Sequence, residues 1–257
     1  MKVLIAIPCY NCEKQISRVL TKIERILKSA EQVEGIVVID NRSNDQTVAV
    51  AKRTLEKIKF SIPADIYVNE ANYGLGGSHK VAFKLCEKYR CDYLAIVHGD
   101  DQANPDDLIR LIKAAVINKE QTVLGSRFMA ENTLSNYSPA RRRGNKALNF
   151  LYSILTLTEI EDLGSGLNLF YTKYITPQIL NNCDNDFTFN MDLLLNMVKH
   201  KIKFIYRPIF WKSEDEISNA KAFDVGYQST VKILKWCIGK DQKMVASFDT
   251  YNTKKVL

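Results

Sequence analysis

No run of apolar residues in this 257-residue sequence approaches the ~18 needed to cross a bilayer, so the sequence predicts a soluble or peripheral chain. The opening segment, Met1 to Pro8, is too short for a secretory signal with its cleavage site. Cysteine is sparse and scattered. The six residues, Cys9, Cys12, Cys86, Cys91, Cys183 and Cys237, predict no disulfide framework and fit a reducing, cytoplasmic setting. Cys9 and Cys12 have C-x-x-C spacing, but without the second ligand pair or thioredoxin-like context that a zinc or redox site requires. The turn after Ile7 has no glycine, which excludes a dinucleotide fingerprint, and the P-loop's lysine-Ser/Thr pair is absent. Repeats, low-complexity tracts and forced linkers are missing too.

What is present is an ordinary globular composition, 46% apolar, with a formal charge of +7. The pI of about 9.0 favours anionic partners such as nucleotides, phosphates, anionic lipid or nucleic acid. Short apolar runs at Val3–Ile7, Ile36–Ile39, Ile66–Val68 and Tyr93–Val97 read as buried strands. Between them, apolar residues at helical spacing (Ile16, Val19, Leu20, Ile23, Ile26, Leu27, then Val48, Ala51, Leu55, Ile58) predict helices, with a third from about Ser78 to Tyr89. Asn11 is a candidate cap for the first. The pattern βαβαβαβ implies an α/β fold with a Rossmann-like, mostly parallel sheet. The second half is less regular, with strands at Thr122–Leu124, Leu167–Tyr171 and Ile202–Ile205. Helices are expected near 105–118, around Leu148–Leu155, and at 188–200 and 225–237, and the tail after Gly239 is expected to fray.

Polar residues gather after each of the first four strands, and such ends converge on one edge of an open sheet. The stretch after Val97 matters most: His98-Gly99-Asp100-Asp101-Gln102 places carboxylate and amide oxygens at a strand end. Oxygen donors suit a hard divalent ion, Mg²⁺ or Mn²⁺, which keeps positions open for phosphates. Asp100, Asp101 and Gln102 therefore stand where a ligand would sit. His98 reads equally as a metal ligand or as a packed histidine.

Other constellations divide between function and structure. The loop Asn72-Tyr73-Gly74-Leu75-Gly76-Gly77 reads as a phosphate cradle, with a flexible helix-capping loop as the plainer reading. Asp40, directly on a strand end, is expected to face a base or ribose. Asp45 reads as turn chemistry, and Asp106 and Asp107 as first-turn residues that complement a helix dipole. Arg141-Arg142-Arg143 reads as an anion clamp, because guanidinium forks bind phosphate bidentately. Few aromatic platforms lie near it, which argues against nucleic acid. The terminal helix reads either as a membrane-surface helix or as a core-packing or homodimer helix.

These residues together resemble the family 2 glycosyltransferases of the GT-A fold. The motifs run in order as Pro8-Cys9-Tyr10-Asn11-Cys12-Glu13, Ile39-Asp40-Asn41-Arg42-Ser43-Asn44-Asp45-Gln46-Thr47, His98-Gly99-Asp100-Asp101-Gln102, Gly125-Ser126-Arg127 and Asp162-Leu163-Gly164-Ser165-Gly166. The last two are similar to the dolichyl- or polyprenyl-phosphate sugar synthase branch. That resemblance implies a single GT-A domain over residues 1–220, with a nucleotide-sugar half at 1–104, an acceptor half at 105–220, and a C-terminal helix and tail at 221–257. It implies a UDP- or GDP-linked donor held by Pro8, Tyr10, Asn11, Glu13, Asp40, Arg42, Asn72, Gly74, Gly76, His98, Asp100 and Asp101. The acceptor, a polyprenyl phosphate, would meet Arg127, Arg141, Arg142, Asp162, Ser165 and Lys212, with Asp100, Arg127 and Arg141 carrying the reaction. A peripheral position on the cytoplasmic membrane face follows from such an acceptor.

The sequence departs from the family pattern in places. His98 replaces the first aspartate of the family's metal motif, so the resemblance implies a metal held by Asp100 and Gln102 with His98 beside them; Arg42 replaces a glycine and Asn145 a serine, and the segment Trp211 to Asn219 lacks the branch's arginine and gains acids. Transfer to a sugar hydroxyl of a lipid-linked glycan is the main alternative, and would need a base, with Asp192 and Asp162 as candidates. A nucleotidyltransferase and a non-catalytic basic adaptor for membrane or nucleic acid are further alternatives.

Overall fold

The computed structural model describes every residue except 131–133, 213–221 and 241–243. The predicted alternation is realised as β1 (Val3–Cys9), α1 (Ile16–Leu27), β2 (Val33–Asp40), α2 (Thr47–Ile58), β3 (Ala64–Asn69), α3 (Gly74–Lys88), β4 (Tyr93–Val97) and α4 (Asp107–Ile117). There follow β5 (Thr122–Ser126), β6 (Leu134–Ser135), α5 (Pro139–Thr156), β7 (Leu167–Tyr171), α6 (Pro177–Asn181) and α7 (Phe189–Lys199). The chain then runs through β8 (Phe204–Pro208), β9 (Trp211–Lys212), α8 (Ala222–Cys237) and β10 (Thr253–Lys255).

Eight strands form one sheet in the order β10-β3-β2-β1-β4-β7-β5-β8, and β6 and β9 form a small second ribbon. Strands β3, β2, β1 and β4 run parallel, while β7 runs antiparallel to both β4 and β5. Helices cover both faces, which is why the strands read as continuous apolar runs rather than alternating ones. Within β1 the alternation survives as a choice of helix layer. Val3, Ile5 and Ile7 pack toward α1, α2 and α4, whereas Leu4 and Ala6 pack toward α3 and α7. This is a single domain of α/β class with a mostly parallel sheet.

The chain order reverses at β1, with β2 on one side and β4 on the other. Such a switch point opens a crevice at the carboxyl ends of the two strands. Cys9 and Val97 end there, and the polar turns that follow them share that crevice.

Three local expectations are corrected. Asn11 does not cap α1: it sits at φ +52°, its side chain accepts a hydrogen bond from the Asn44 N–H at 2.8 Å, and the helix starts after Gln15. The third helix starts at Gly74, not near Ser78. From Met244 onward the tail is not frayed. Phe248 and Tyr251 are buried, and Thr253–Lys255 pairs antiparallel with β3 at the sheet edge. Apolar anchors in an otherwise polar tail do the fastening. The acidic segment 213–219 lies outside the described residues.

Candidate active site

Over the carboxyl ends of β1 and β4 lies a cavity of about 1590 Å³. Pro8, Tyr10 and Asn11 line it from the first turn, Asn72 and Gly74 from the third, and His98, Asp100 and Gln102 from the fourth. Arg127, Arg141, Leu148, Trp211 and Tyr227 line it from the second half of the chain. The donor-side and acceptor-side motifs, far apart in sequence, therefore face one space.

Asn41 ties the donor wall together. Its Oδ1 accepts from the Asn69 side chain at 3.0 Å and the Tyr73 N–H at 2.9 Å, and its Nδ2 donates to Asn72 Oδ1 at 2.8 Å. One buried amide thus pins the ends of β2 and β3 and the turn before α3. Asp40, next to it, is buried behind the wall. Its Oδ2 accepts from the Ser43 N–H at 3.1 Å and its Oδ1 has no partner among the described residues. Burial pushes its carboxyl above the usual carboxylate range, a shift that the Ser43 hydrogen bonds partly offset.

Several expected donor residues point elsewhere. Glu13 does not line the cavity: its carboxylate accepts the Gln46 N–H at 2.8 Å and braces the start of α2. Asp45 supports the same turn, through the Glu13 N–H at 3.0 Å and the Thr47 N–H at 2.9 Å. Arg42 is exposed, at φ +62°, and lines no wall. The glycines of the 74–77 segment form the first turn of α3 and meet protein rather than open space. A Cβ on Gly74 would lie 2.3 Å from the Asn185 carbonyl oxygen, and one on Gly76 would lie 2.3 Å from that of Asp184. Close backbone approach explains both glycines without a phosphate.

Asp101 is corrected most clearly. Its side chain is buried away from the cavity, accepting from Lys22 Nζ at 2.5 Å and Arg18 Nε at 2.9 Å, both on α1. Lys212 approaches the same carboxylate at 3.5 Å, so its ammonium is drawn to Asp101 rather than toward an acceptor. Burial alone would raise the Asp101 pKa, but the hydrogen bonds from Lys22 and Arg18 and the nearby lysines outweigh it and hold the carboxyl below its ordinary value.

His98 meets His79 of α3, Nε2 to Nε2 at 3.0 Å. His79 is fully buried. Burial depresses the pKa of both imidazoles, and in the neutral pair one ring donates its N–H to the other across that contact. The other nitrogen of His98 faces Gly166, where a Cβ would stand 2.9 Å from Nδ1. His98 is thereby held as a wall residue by His79 and Gly166, and the donor set of the turn reduces to Asp100 and Gln102. Asp100 Oδ1 accepts the Gln102 N–H at 3.1 Å, which fixes the turn. Among the described residues no cluster of three His, Cys, Asp or Glu side chains is placed to hold a metal. A carboxylate plus an amide still fits Mg²⁺ or Mn²⁺, which take few protein ligands and share substrate phosphates.

On the acceptor side, Arg127 is buried and forms a two-pronged pair with Asp162, Nε at 2.8 Å and Nη2 at 2.7 Å, while its own N–H donates to the same carboxylate at 2.9 Å. The guanidinium lies over the Trp211 and Phe128 rings, 5.2 Å from each centroid. Arg141, exposed on α5, stands 5.2 Å over Tyr137, which also neighbours Arg127. Asn145 holds Tyr137 by its hydroxyl at 2.8 Å. Arg142 is exposed and lies off the cavity, and Ser165 spends its hydroxyl on the Leu167 backbone at 3.1 Å. Asp162 and Ser165 therefore shape the wall rather than line it.

Sequence reasoning missed the loop before α7 and the first turn of that helix. Asp184, Asn185, Asp186 and Phe187 of the loop and Asn190 of α7 all line the cavity. Lys232 of α8 ion-pairs with Asp192 at 2.8 Å and with Asp184 at 2.5 Å, and the buried Lys80 donates to the Cys183 carbonyl at 2.6 Å and Asn185 Oδ1 at 2.8 Å. The polar run Asn181-Asn182-Cys183-Asp184-Asn185-Asp186 was the available signal.

Comparison with known proteins agrees with this arrangement. Residues 4–175 match the model of glycosyl transferase family 2. The UDP-N-acetylglucosamine–dolichyl-phosphate N-acetylglucosaminyltransferase of Methanococcus voltae is 23% identical over 255 residues, covering 93% of this chain and 97% of that protein. The undecaprenyl-phosphate 4-deoxy-4-formamido-L-arabinose transferase of Pseudomonas fluorescens is 24% identical over 198 residues, 77% of this chain and 55% of that one. Among solved structures, glucosyl-3-phosphoglycerate synthase from Mycobacterium tuberculosis, in complex with Mn²⁺, UDP-glucose and phosphoglyceric acid, has the same fold. The TM-score is 0.65 at 13% identity, over 98% of this chain and 86% of that one. With the motifs at the strand ends, the cavity they share and a family match over most of its length, the chain belongs to glycosyl transferase family 2 and is a GT-A glycosyltransferase.

Proposed function

We propose that this enzyme transfers a sugar from a nucleoside-diphosphate donor to a polyprenyl phosphate. The observation that carries the reading is one cavity lined both by Asp100 and Gln102 and by Arg141 and Arg127. The two lipid-phosphate relatives support the acceptor class.

In this reading the donor's base and ribose lie along Pro8, Tyr10 and Asn11, with Asn41 tying that wall together. Asp100 and Gln102 would hold Mg²⁺ or Mn²⁺ at the diphosphate, where such an ion neutralises charge on the leaving nucleotide. The acceptor attacks the anomeric carbon from the face opposite the diphosphate, which inverts the configuration. A lipid phosphate is already an anion at neutral pH, so the step needs orientation more than proton removal. Arg141, with its guanidinium at the cavity wall, orients that phosphate. Arg127 shapes the same wall through Asp162 and Trp211.

The carboxylates weighed as bases for a hydroxyl acceptor are already committed. Asp162 is bound to Arg127, and Asp192 to Lys232. That favours the anionic acceptor over a sugar hydroxyl.

The experiment is a transfer assay with UDP- and GDP-linked sugars, comparing a polyprenyl phosphate with a lipid-linked saccharide, with and without chelator. Product on the polyprenyl phosphate, lost in chelator and in Asp100→Ala, is expected. Product only on the saccharide, or full activity in chelator, overturns the reading.

A further inference from the structure

Helix α5 faces two ways. Arg141, Gly144 and Leu148 line the cavity, and Tyr152 is buried, its hydroxyl donating to the Ser229 carbonyl of α8 at 2.7 Å. The opposite side carries Arg143, Lys146, Phe150, Ile154 and Leu157, recurring every three or four residues along one helical face. All five are exposed. Phe150 is 67% exposed and Leu157 is 92% exposed. Leu157 moreover ends the helix at φ +52°, a conformation in which glycine or asparagine is the usual residue. A leucine there gives up backbone preference and apolar burial at once.

Helix α8 repeats the arrangement. Tyr227, Val231, Leu234 and Ile238 share one face, with Tyr227, Leu234 and Ile238 exposed and Lys235 and Lys240 beside them. Tyr227 also lines the cavity, so this stripe runs to the mouth of the site. Neither helix is long and apolar enough to cross a membrane. An apolar face edged by cations lies in the interface plane instead.

We propose that the outer faces of α5 and α8 dock on an anionic lipid bilayer, with Phe150, Ile154, Leu157, Leu234 and Ile238 entering the headgroup boundary. Charge selects this occupant over a second copy of the chain. Helix α5 carries four cations, Arg141, Arg142, Arg143 and Lys146, and no acid. A two-fold contact would set those cations against their own copies, whereas anionic headgroups neutralise them. The inference extends the lipid-phosphate reading, because the two docking helices are also the walls that flank the acceptor side.

The test is flotation of the full chain with phosphatidylcholine vesicles, with and without phosphatidylglycerol. Binding is expected to the anionic vesicles and to fall as salt is raised. Phe150→Glu/Ile154→Glu/Leu157→Glu should weaken it by at least about tenfold, since each apolar side chain buried contributes on that order. Arg143→Glu/Lys146→Glu should weaken it mainly at low salt. Both variants change exposed side chains, so their melting temperatures should match the wild type. Turnover on a short, water-soluble prenyl phosphate should be unaffected in the triple variant. The vesicle measurement needs neither donor nor acceptor, so it stands if the transfer assay fails. Equal vesicle binding by the triple variant overturns the proposal. So does a concentration-dependent dimer that the triple variant abolishes while the wild type ignores vesicles.

Discussion

Arg127 and Asp162 make three hydrogen bonds to one another, all between 2.7 and 2.9 Å, and both side chains are shielded from water. Burial opposes the Arg127 charge, but the Asp162 carboxylate more than restores it. Removing one partner of such a pair leaves an uncompensated charge, at a cost of about 3–5 kcal/mol. Asp162→Asn should lose stability of that order in urea unfolding. The double variant Arg127→Met/Asp162→Leu should recover much of it while still lacking activity. A single variant as stable as the wild type would show that the pair contributes little.

The neighbouring aspartates of the strand-end turn should separate cleanly. Asp100→Ala should abolish metal-dependent transfer with little change in melting temperature. Asp101→Asn should instead cost about 3 kcal/mol, since it strips Lys22, Arg18 and Lys212 of their shared anion. The pH dependence has a fixed sign. A carboxyl held below its unfolded value near ~3.9 contributes stability that is present above that pH and lost as pH falls through the folded value. The stability gap between wild type and Asp101→Asn should therefore close as pH drops below about 4. A gap that persists in acid would contradict the assignment.

Asp192 should behave in the opposite sense. Burial pushes its carboxyl up to about 6, against the pull of Lys232. The folded protein then holds this proton more tightly than the unfolded chain, so stability from this group rises as pH falls from 7 toward 5. Measured against Asp192→Asn, the wild type should gain stability over that interval. A flat difference would contradict the shift.

Gly76→Ala and Gly74→Ala should each destabilise by more than the ~1 kcal/mol scale of ordinary backbone effects, because the new Cβ meets a backbone oxygen of the 184–185 segment. Because that segment lines the cavity, kcat should fall as well. Unchanged unfolding curves would mean the loop yields, and would return these glycines to a ligand-binding role.

The strands, their parallel order and the cavity edge were legible because each depends on a local signal: apolar runs of strand length, helical spacing between them, and polar turns after each strand. What sequence could not show was which way a side chain turns once partners arrive from far away. Asp101 looked like Asp100's twin, yet Lys22, 79 positions earlier, claims it. His98 lay open as a ligand until His79 and Gly166 closed on it. The glycine loop read as a ligand cradle because the 184–185 backbone that fills the space belongs to the other half of the chain. Arg127 and Asp162 were both found, but not that they bind each other.

The pairing of Thr253–Lys255 with β3 has a consequence for biosynthesis. Until those residues leave the ribosome, the Ala64–Asn69 edge of a nearly finished sheet has no neighbour and exposes open backbone groups. A stalled or nicked product missing the 253–255 segment would be a sticky intermediate, prone to self-association through that rim. Chaperone demand should therefore last until that edge is sealed.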